Sequence, residues 1–209
     1  MKSWSRALFA ATTLAASTAW ATPYFEVGDA GQSLADAQLV GGGTDVIHGN
    51  VSLTSPDLFS FYWGGGAFAV DTFGSAADTQ LFLFNAAGQG VWANDQASAG
   101  TSASRIIDPA LGSGQYFIGV SGFDYDPYSS VGVIFPSAPF TGQFGPLNNA
   151  PLDHWAAFSP HVSGVGDYVV NFRTPTALPE PSTLAVFGVA LAALGFATRR
   201  RLTGKRLGA

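Results

Sequence analysis

Residues 79–94 have the sequence TQLFLFNAAGQGVWAN, which predicts two β-strands joined by a turn. The continuous apolar run at 81–84 is typical of a strand that is covered on both faces. Residues 85–90 supply the turn, and residues 91–93 form the returning strand. The hairpin therefore predicts a sheet with protein packed against both of its sides.

Alternating apolar residues predict further strands around this hairpin. The alternation begins at Phe59 and resumes at Phe68, after a Gly-Gly-Gly turn. Many short strands with few helical stretches are typical of an all-β fold. We therefore predict an antiparallel β-sandwich or jelly-roll-like domain at 22–178. Other strands are predicted at 105–107, 115–121 and 167–172.

Two segments depart from the strand pattern. Residues 29–40 have a mixed composition that fits a short helix, a linker or an edge strand. Residues 123–165 form a Pro-rich insertion, and an insertion of this length is either a functional loop or a cover over a sheet. The insertion is interrupted by Pro127, Pro136, Pro139, Pro146, Pro151 and Pro160.

The charges are distributed unevenly along the 209 residues. The whole chain has a net charge of −5, whereas residues 22–178 contain thirteen acids against two bases, a net charge of −11. An acidic body between two basic, apolar ends is typical of an exported precursor. The absence of a basic stripe argues against nucleic-acid binding. There is no cysteine, so the domain is predicted to depend on an ordinary apolar core.

Residues 1–21 have the three regions of a secretory signal peptide. Lys2 and Arg6 give a positive start, an apolar helical stretch follows, and Ala19 and Ala21 form a small-x-small cleavage site. We therefore expect export by the Sec machinery and cleavage after Ala21.

The C-terminal end also has three parts. The uncharged run 184–198 would span only about 22 Å as a helix, which is short for a hydrocarbon core of about 30 Å. We predict a short transmembrane helix whose arginines stay in the cytoplasm, and the alternative is a last core helix. The three parts are Pro179-Glu180-Pro181, the run 184–198, and Arg199, Arg200 and Arg201.

With these three parts, residues 179–209 resemble the PEP-CTERM sorting signal of Gram-negative bacteria. The resemblance implies recognition by an exosortase, a membrane enzyme that processes the precursor near Pro-Glu-Pro. It also implies a transient anchor in the inner membrane and a mature form at the cell surface or outside the cell. Proteins with this signal are typical of bacteria that make exopolysaccharide, and many are thought to join the extracellular matrix.

The body resembles the bacterial pre-peptidase C-terminal domain over about 45–122, together with 167–172. The resemblance implies a small β-sandwich that is appended to secreted proteins and is not itself catalytic. The motifs that carry it are Asp57-x-Phe59-x-Phe61, Asp78-Thr79-x-Leu81-x-Leu83-Phe84 with Gly88, Asn94-Asp95, and Gly114-x-Tyr116-x-Ile118-x-Val120.

Residue patterns for catalysis are sparse. The chain has no cysteine and no Gly-x-Ser-x-Gly elbow, and residues 22–178 contain a single glutamate, Glu26. The histidines His48, His154 and His161 match no zinc-ligand spacing. We therefore predict a non-enzymatic protein without a required cofactor, and a secreted hydrolase is the less favoured alternative.

Calcium is the ion that the sequence favours, because oxygen-rich loops suit it. The same residues could instead form Asx turns or solvated loop acids. The candidate ligands are Asn94, Asp95, Asp124 and Asp126.

Aromatic residues in irregular segments suggest a second kind of site. Tyr125, Tyr128 and Trp155 could stack on sugar rings, whereas Trp63 and Trp92 lie in strand patterns typical of a core. The main hypothesis is a cell-surface or extracellular-matrix protein that an exosortase sorts. The alternative is a carbohydrate- or protein-binding module of the exopolysaccharide matrix.

Overall fold

The computed structural model describes residues 22–158, 160 and 162–173. This part of the chain contains no helix, and its all-β class is the one that the sequence predicts. Its strands are β1 (Thr22–Phe25), β2 (Gln38–Leu39), β3 (Thr44–Val51), β4 (Asp57–Trp63), β5 (Gly66–Asp71), β6 (Thr79–Asn85), β7 (Gly90–Asn94), β8 (Arg105–Leu111), β9 (Gly114–Gly122), β10 (Tyr125–Ser129), β11 (Gly132–Val133), β12 (Gln143–Phe144), β13 (Leu152–Ala157) and β14 (Gly166–Phe172).

The strands form two large sheets and one small sheet. The five-stranded sheet has the order β1-β3-β14-β5-β8, and the six-stranded sheet has the order β12-β7-β6-β9-β4-β2. Neighbouring strands are antiparallel except at two edges, where β1 runs parallel to β3 and β2 runs parallel to β4. The predicted sandwich-like fold is confirmed, with these two parallel edges as a difference.

The inner core lies between the two large sheets. Leu81 and Leu83 of β6 are fully buried there. The ring of Phe61 in β4 lies 5.9 Å from that of Phe68 in β5 and 5.2 Å from that of Phe172 in β14. These aromatic contacts join the two sheets. Burying one side chain of this size stabilises the folded state by about 1.5–3 kcal/mol relative to leaving it exposed.

The outer core lies on the opposite face of the six-stranded sheet. Phe82 and Phe84 alternate with Leu81 and Leu83 along β6 and point to this outer side, where they pack against Trp155 of the insertion. Both faces of β6 are therefore buried, which confirms the prediction from its continuous apolar run. The insertion at 123–165 is a cover over this sheet. Its other buried apolar residues are Ile134 and Phe135.

The cover is built around the small sheet, in which β10 lies between β11 and β13. It packs closely on β9 at Gly119, where an added Cβ would come within 2.9 Å of the Trp155 indole. Glycine at this position therefore lets the cover approach the sheet.

Residues 29–40 do not form the helix that their composition allowed. Ser33 and Asp36 close a turn, in which the Asp36 N–H donates to the Ser33 carbonyl at 3.1 Å. The chain then forms the short edge strand β2, which pairs with β4. The Gly residues that follow and the pairing with β4 favour the strand over a helix.

Several predicted features lie outside the described residues. They are the signal peptide at 1–21 with Ala19 and Ala21, the sorting signal at 179–209 and its membrane helix at 184–198. Within the described ranges, no helix has the length and apolar character needed to cross a membrane.

Candidate functional site

The ends of three neighbouring strands bring four aspartates into one region, named here the Asp95 cluster. Asp78 precedes β6 and Asp95 follows β7, and these strands are paired through Leu81 and Asn94. Strand β9 pairs with the other side of β6, and the chain then turns into β10. The cluster consists of Asp78, Asp95, Asp124 and Asp126.

Buried carboxylate oxygens in this cluster have no hydrogen-bond partner. Asp95 is 9% exposed and both of its oxygens are unpartnered. Asp126 is 4% exposed, and its Oδ1 accepts from Gln80 Nε2 at 3.2 Å while its Oδ2 is unpartnered. Buried polar atoms are nearly always satisfied in folded proteins, so these oxygens require an explanation.

The pKa values reflect the same lack of compensation. Burial, followed by the negative charges of the other three members of the cluster, raises the pKa of Asp95 to about 7. Burial is also the main cause that raises the pKa of Asp126 to about 6, against the lowering effect of its hydrogen bond from Gln80. The neighbouring charges that raise the pKa of Asp95 all come from aspartates.

Asn94, which the sequence also suggested as a calcium ligand, has a structural role. Its Oδ1 accepts from the Arg105 N–H at 2.6 Å, and its Nδ2 donates to the carbonyl of Gly142 at 2.6 Å. These bonds join β7 to β8 and to the insertion. The structure thus brings together Asp95, Asp124 and Asp126. The side chain of Asn94 is instead occupied by hydrogen bonds within the protein.

A second group of acids, which sequence reasoning missed, consists of Glu26, Asp29 and Asp57. One oxygen from each lies within 4.8 Å of the others, a spacing that a divalent cation could bridge. The chain already provides donors for them, however. Glu26 accepts from the N–H groups of Ala30 and Asn50, at 3.0 and 2.9 Å.

Asp57 is the buried member of this second group. Tyr168 donates its hydroxyl proton to Asp57 Oδ2 at 2.8 Å, and Asp57 also shares a hydrogen bond with Glu26. Burial is the main cause that raises the pKa of Asp57 to about 8, and the charges of Glu26 and Asp29 add to it. This group is therefore a proton-sharing network satisfied by the chain itself.

We expect the Asp57→Asn variant to lose part of the pH dependence of stability. The pKa of Asp57 is about 8 when folded against 3.8 as its ordinary value, so folding binds a proton between these limits. The free energy of unfolding then falls as pH rises through this window, by up to about 1.4 kcal/mol per pH unit. Asparagine stays neutral, and its amide can still accept from Tyr168 and donate to Glu26.

Urea unfolding at several values between pH 5 and pH 8, with a chelator present, measures this difference. The acids of the Asp95 cluster titrate in both proteins, so their effect cancels in the comparison. Equal slopes of stability against pH in the two proteins would contradict the assigned proton.

A cleft of about 500 Å³ opens beside this network. The exposed ring of Phe25 stacks on His48 at its edge, with ring centroids 4.8 Å apart. Glu26, Asn50 and Asp167 supply polar groups to its wall. This cleft could not be predicted from the sequence, because its residues come from β1, β3, β14 and the loops at 26–28 and 74–76.

The three predicted sugar-stacking residues have different surroundings. Trp155 is 7% exposed and its indole N–H donates to the carbonyl of Gln32 at 2.9 Å, so it offers no open face to a sugar. Tyr125 is half-buried against the outer core. Tyr128 is half-buried, and its ring stacks on His154 with centroids 5.4 Å apart. The carbohydrate-binding hypothesis stays a prediction, and its remaining candidates are the two tyrosines.

The histidines are placed on different elements. His48 lies in β3, whereas His154 lies in β13 and contacts Asp153 at 3.0 Å between Nδ1 and Oδ2. His161 lies outside the described residues.

Comparison with known families concerns the C-terminal end of the chain. Residues 177–201 match the PEP-CTERM protein-sorting motif. The match includes Pro179, Glu180 and Pro181 and extends through Arg201, which confirms the predicted sorting signal. The motif indicates an exported protein whose precursor is anchored in the membrane and processed by an exosortase.

The body has no corresponding match. No curated protein matches the chain. The resemblance to the pre-peptidase C-terminal domain is supported by no family match and stays a prediction.

Proposed function

We propose that this PEP-CTERM chain is the precursor of a non-enzymatic protein of the cell surface or extracellular matrix. The observation that carries the proposal is the sorting motif at 177–201. A removable apolar tail serves as a sorting signal and not as a permanent membrane anchor, as in other processed C-terminal signals. The acidic β-domain is then the part that remains outside the inner membrane.

The charges of the described residues fit this location. Arg173 forms two short bonds to the buried Asp71, at 2.6 and 2.7 Å, so it adds little free positive charge to the surface. Arg105 is the other base between 22 and 178. The net negative charge of the domain favours a hydrated, soluble protein and repels nucleic acid.

The distribution of perturbed acids supports a non-enzymatic role. Catalytic acids and bases with shifted pKa values usually face a cleft in which the substrate lies. Here the pKa values of Asp57, Asp95 and Asp126 are raised to about 8, 7 and 6, and all three side chains are buried. None of the three lines the cleft of about 500 Å³.

Mass spectrometry of the mature protein's two termini tests the proposal. We expect an N-terminus at Thr22 and a C-terminus near Pro179-Glu180-Pro181 in the protein recovered outside the inner membrane. Protein from that fraction that retains residues 184–209 would contradict processing. A chain that remains in the cytoplasm with Met1 would contradict export.

A further inference from the structure

The two acidic groups differ in a way that separates a proton network from an ion site. In the Glu26 group, hydrogen-bond donors from the chain reach the carboxylates. In the Asp95 cluster, by contrast, both oxygens of Asp95, one of Asp126 and one of Asp78 have no partner. The carboxylates of the Glu26 group lie within 4.8 Å of one another, but it is the Asp95 cluster that has carboxylate oxygens without hydrogen-bond partners.

Two of the residues with unpartnered oxygens, Asp95 and Asp126, line a common space. Asp95 and Asp126 line the same small cavity of about 10 Å³, which is about the space that one water molecule needs. Pro136, Ser137 and Pro139 of the insertion form another part of its wall. A cavity that is lined by buried carboxylates and has space for one water-sized particle is suited to a single bound ion.

The charges that act on Asp95 are all negative. They come from the carboxylates of Asp78, Asp126 and Asp124, whereas Arg173 is bound to Asp71. A buried carboxylate without compensation costs several kcal/mol, so it must bind either a proton or a cation. A divalent cation would compensate two carboxylates together.

We propose that Asp95 and Asp126 bind one calcium ion in this cavity, with Asp78 and Asp124 adding negative charge around it. The ion would fix β10 of the insertion to the end of β7. It therefore stabilises the cover over the six-stranded sheet. This proposal goes beyond the sorting function and does not depend on processing at Pro-Glu-Pro.

The chemistry of the site favours calcium over other divalent ions. Its charged ligands are carboxylate oxygens, which suit hard cations and not the ions that prefer nitrogen or sulfur. Magnesium loses its water shell reluctantly and keeps several waters, for which this cavity has no space. Calcium exchanges water for carboxylates readily and accepts irregular geometry.

Calcium titration of the full chain in a mild detergent, after dialysis against a chelator, tests the proposal. We expect one ion per chain with a Kd of about 10⁻⁴ M, in the range of extracellular calcium modules. At about 10 mM calcium, the melting temperature should rise by about 5–10 °C. Magnesium at the same concentration should produce a much smaller rise.

Matched substitutions separate the two acidic groups. Asp95→Asn and Asp126→Asn should each abolish the calcium-dependent rise in melting temperature. Without calcium, the Asp95→Asn protein should melt no lower than the wild type, because one uncompensated buried charge is gone. Asp29→Asn changes the exposed member of the other group and should leave the calcium response intact.

Several results would overturn the proposal. These are the absence of calcium binding to the wild type, a rise that persists in both cluster variants, and a rise that only Asp29→Asn removes. An equal response to magnesium would overturn the assignment to calcium.

Discussion

A Glu180→Ala precursor is expected to accumulate in the inner membrane with its C-terminal segment attached. Glu180 lies between Pro179 and Pro181 within the matched motif. Proline disfavours the helical conformation of the residue before it, so we do not expect the membrane helix to include Glu180. A hydrogen bond to a charged group contributes about 1.5–3 kcal/mol. Its loss should slow processing about ten- to a hundredfold.

Pulse-labelling followed by separation of membrane and extracellular fractions measures this effect as the ratio of precursor to mature protein. Glu180→Gln keeps the shape of the side chain and removes its charge, so it should also slow processing if the carboxylate is recognised. Ser182→Ala, just outside the Pro-Glu-Pro triplet, is the matched control and should be processed normally. Normal release of the Glu180→Ala protein would show that this carboxylate is not needed.

The pattern of apolar residues in the strands allowed the central fold to be predicted from the sequence. The run at 81–84 shows that both faces of β6 are covered, because a half-exposed strand would alternate polar residues with apolar ones. Its inner face could be assigned to a second sheet. The identity of the outer cover could not be deduced, because Trp155 lies more than seventy positions away and nothing local pairs it with Phe84.

The acidic groups show the same limit at the candidate sites. Asp95 and Asp126 could be predicted from the sequence because they lie at or near the ends of predicted strands, and the loops at one end of a sandwich lie close together. The network of Glu26, Asp57 and Tyr168 was not, since it depends on the parallel pairing of β1 with β3 and on contact between the sheets. In the sequence, Asp57 was noted only as part of the Asp57-x-Phe59-x-Phe61 motif. Local patterns do not contain such long-range pairings.

Phe84→Ala is expected to lower the free energy of unfolding by about 3–5 kcal/mol, although Phe84 lies on the outer face of the six-stranded sheet. Its side chain is fully buried, and its ring centroid lies 5.9 Å from that of Phe135 and 6.3 Å from that of Trp155. Truncation would remove contacts with both and leave a cavity under the cover. Leu83→Ala, on the inner face of the same strand, should cost a similar 2–5 kcal/mol.

The comparison of these two variants tests the cover directly, because a sandwich of only two sheets would leave Phe84 facing solvent. In that case Phe84→Ala would cost about 0.5 kcal/mol or less while Leu83→Ala stayed costly. Tyr62→Ala is the matched control, since Tyr62 lies in the same sheet and is 42% exposed. Urea unfolding followed by tryptophan fluorescence gives all three values. A Phe84→Ala protein as stable as the Tyr62→Ala protein would show that the insertion does not pack on this sheet, and the calcium site at its edge would then lose the wall that closes it.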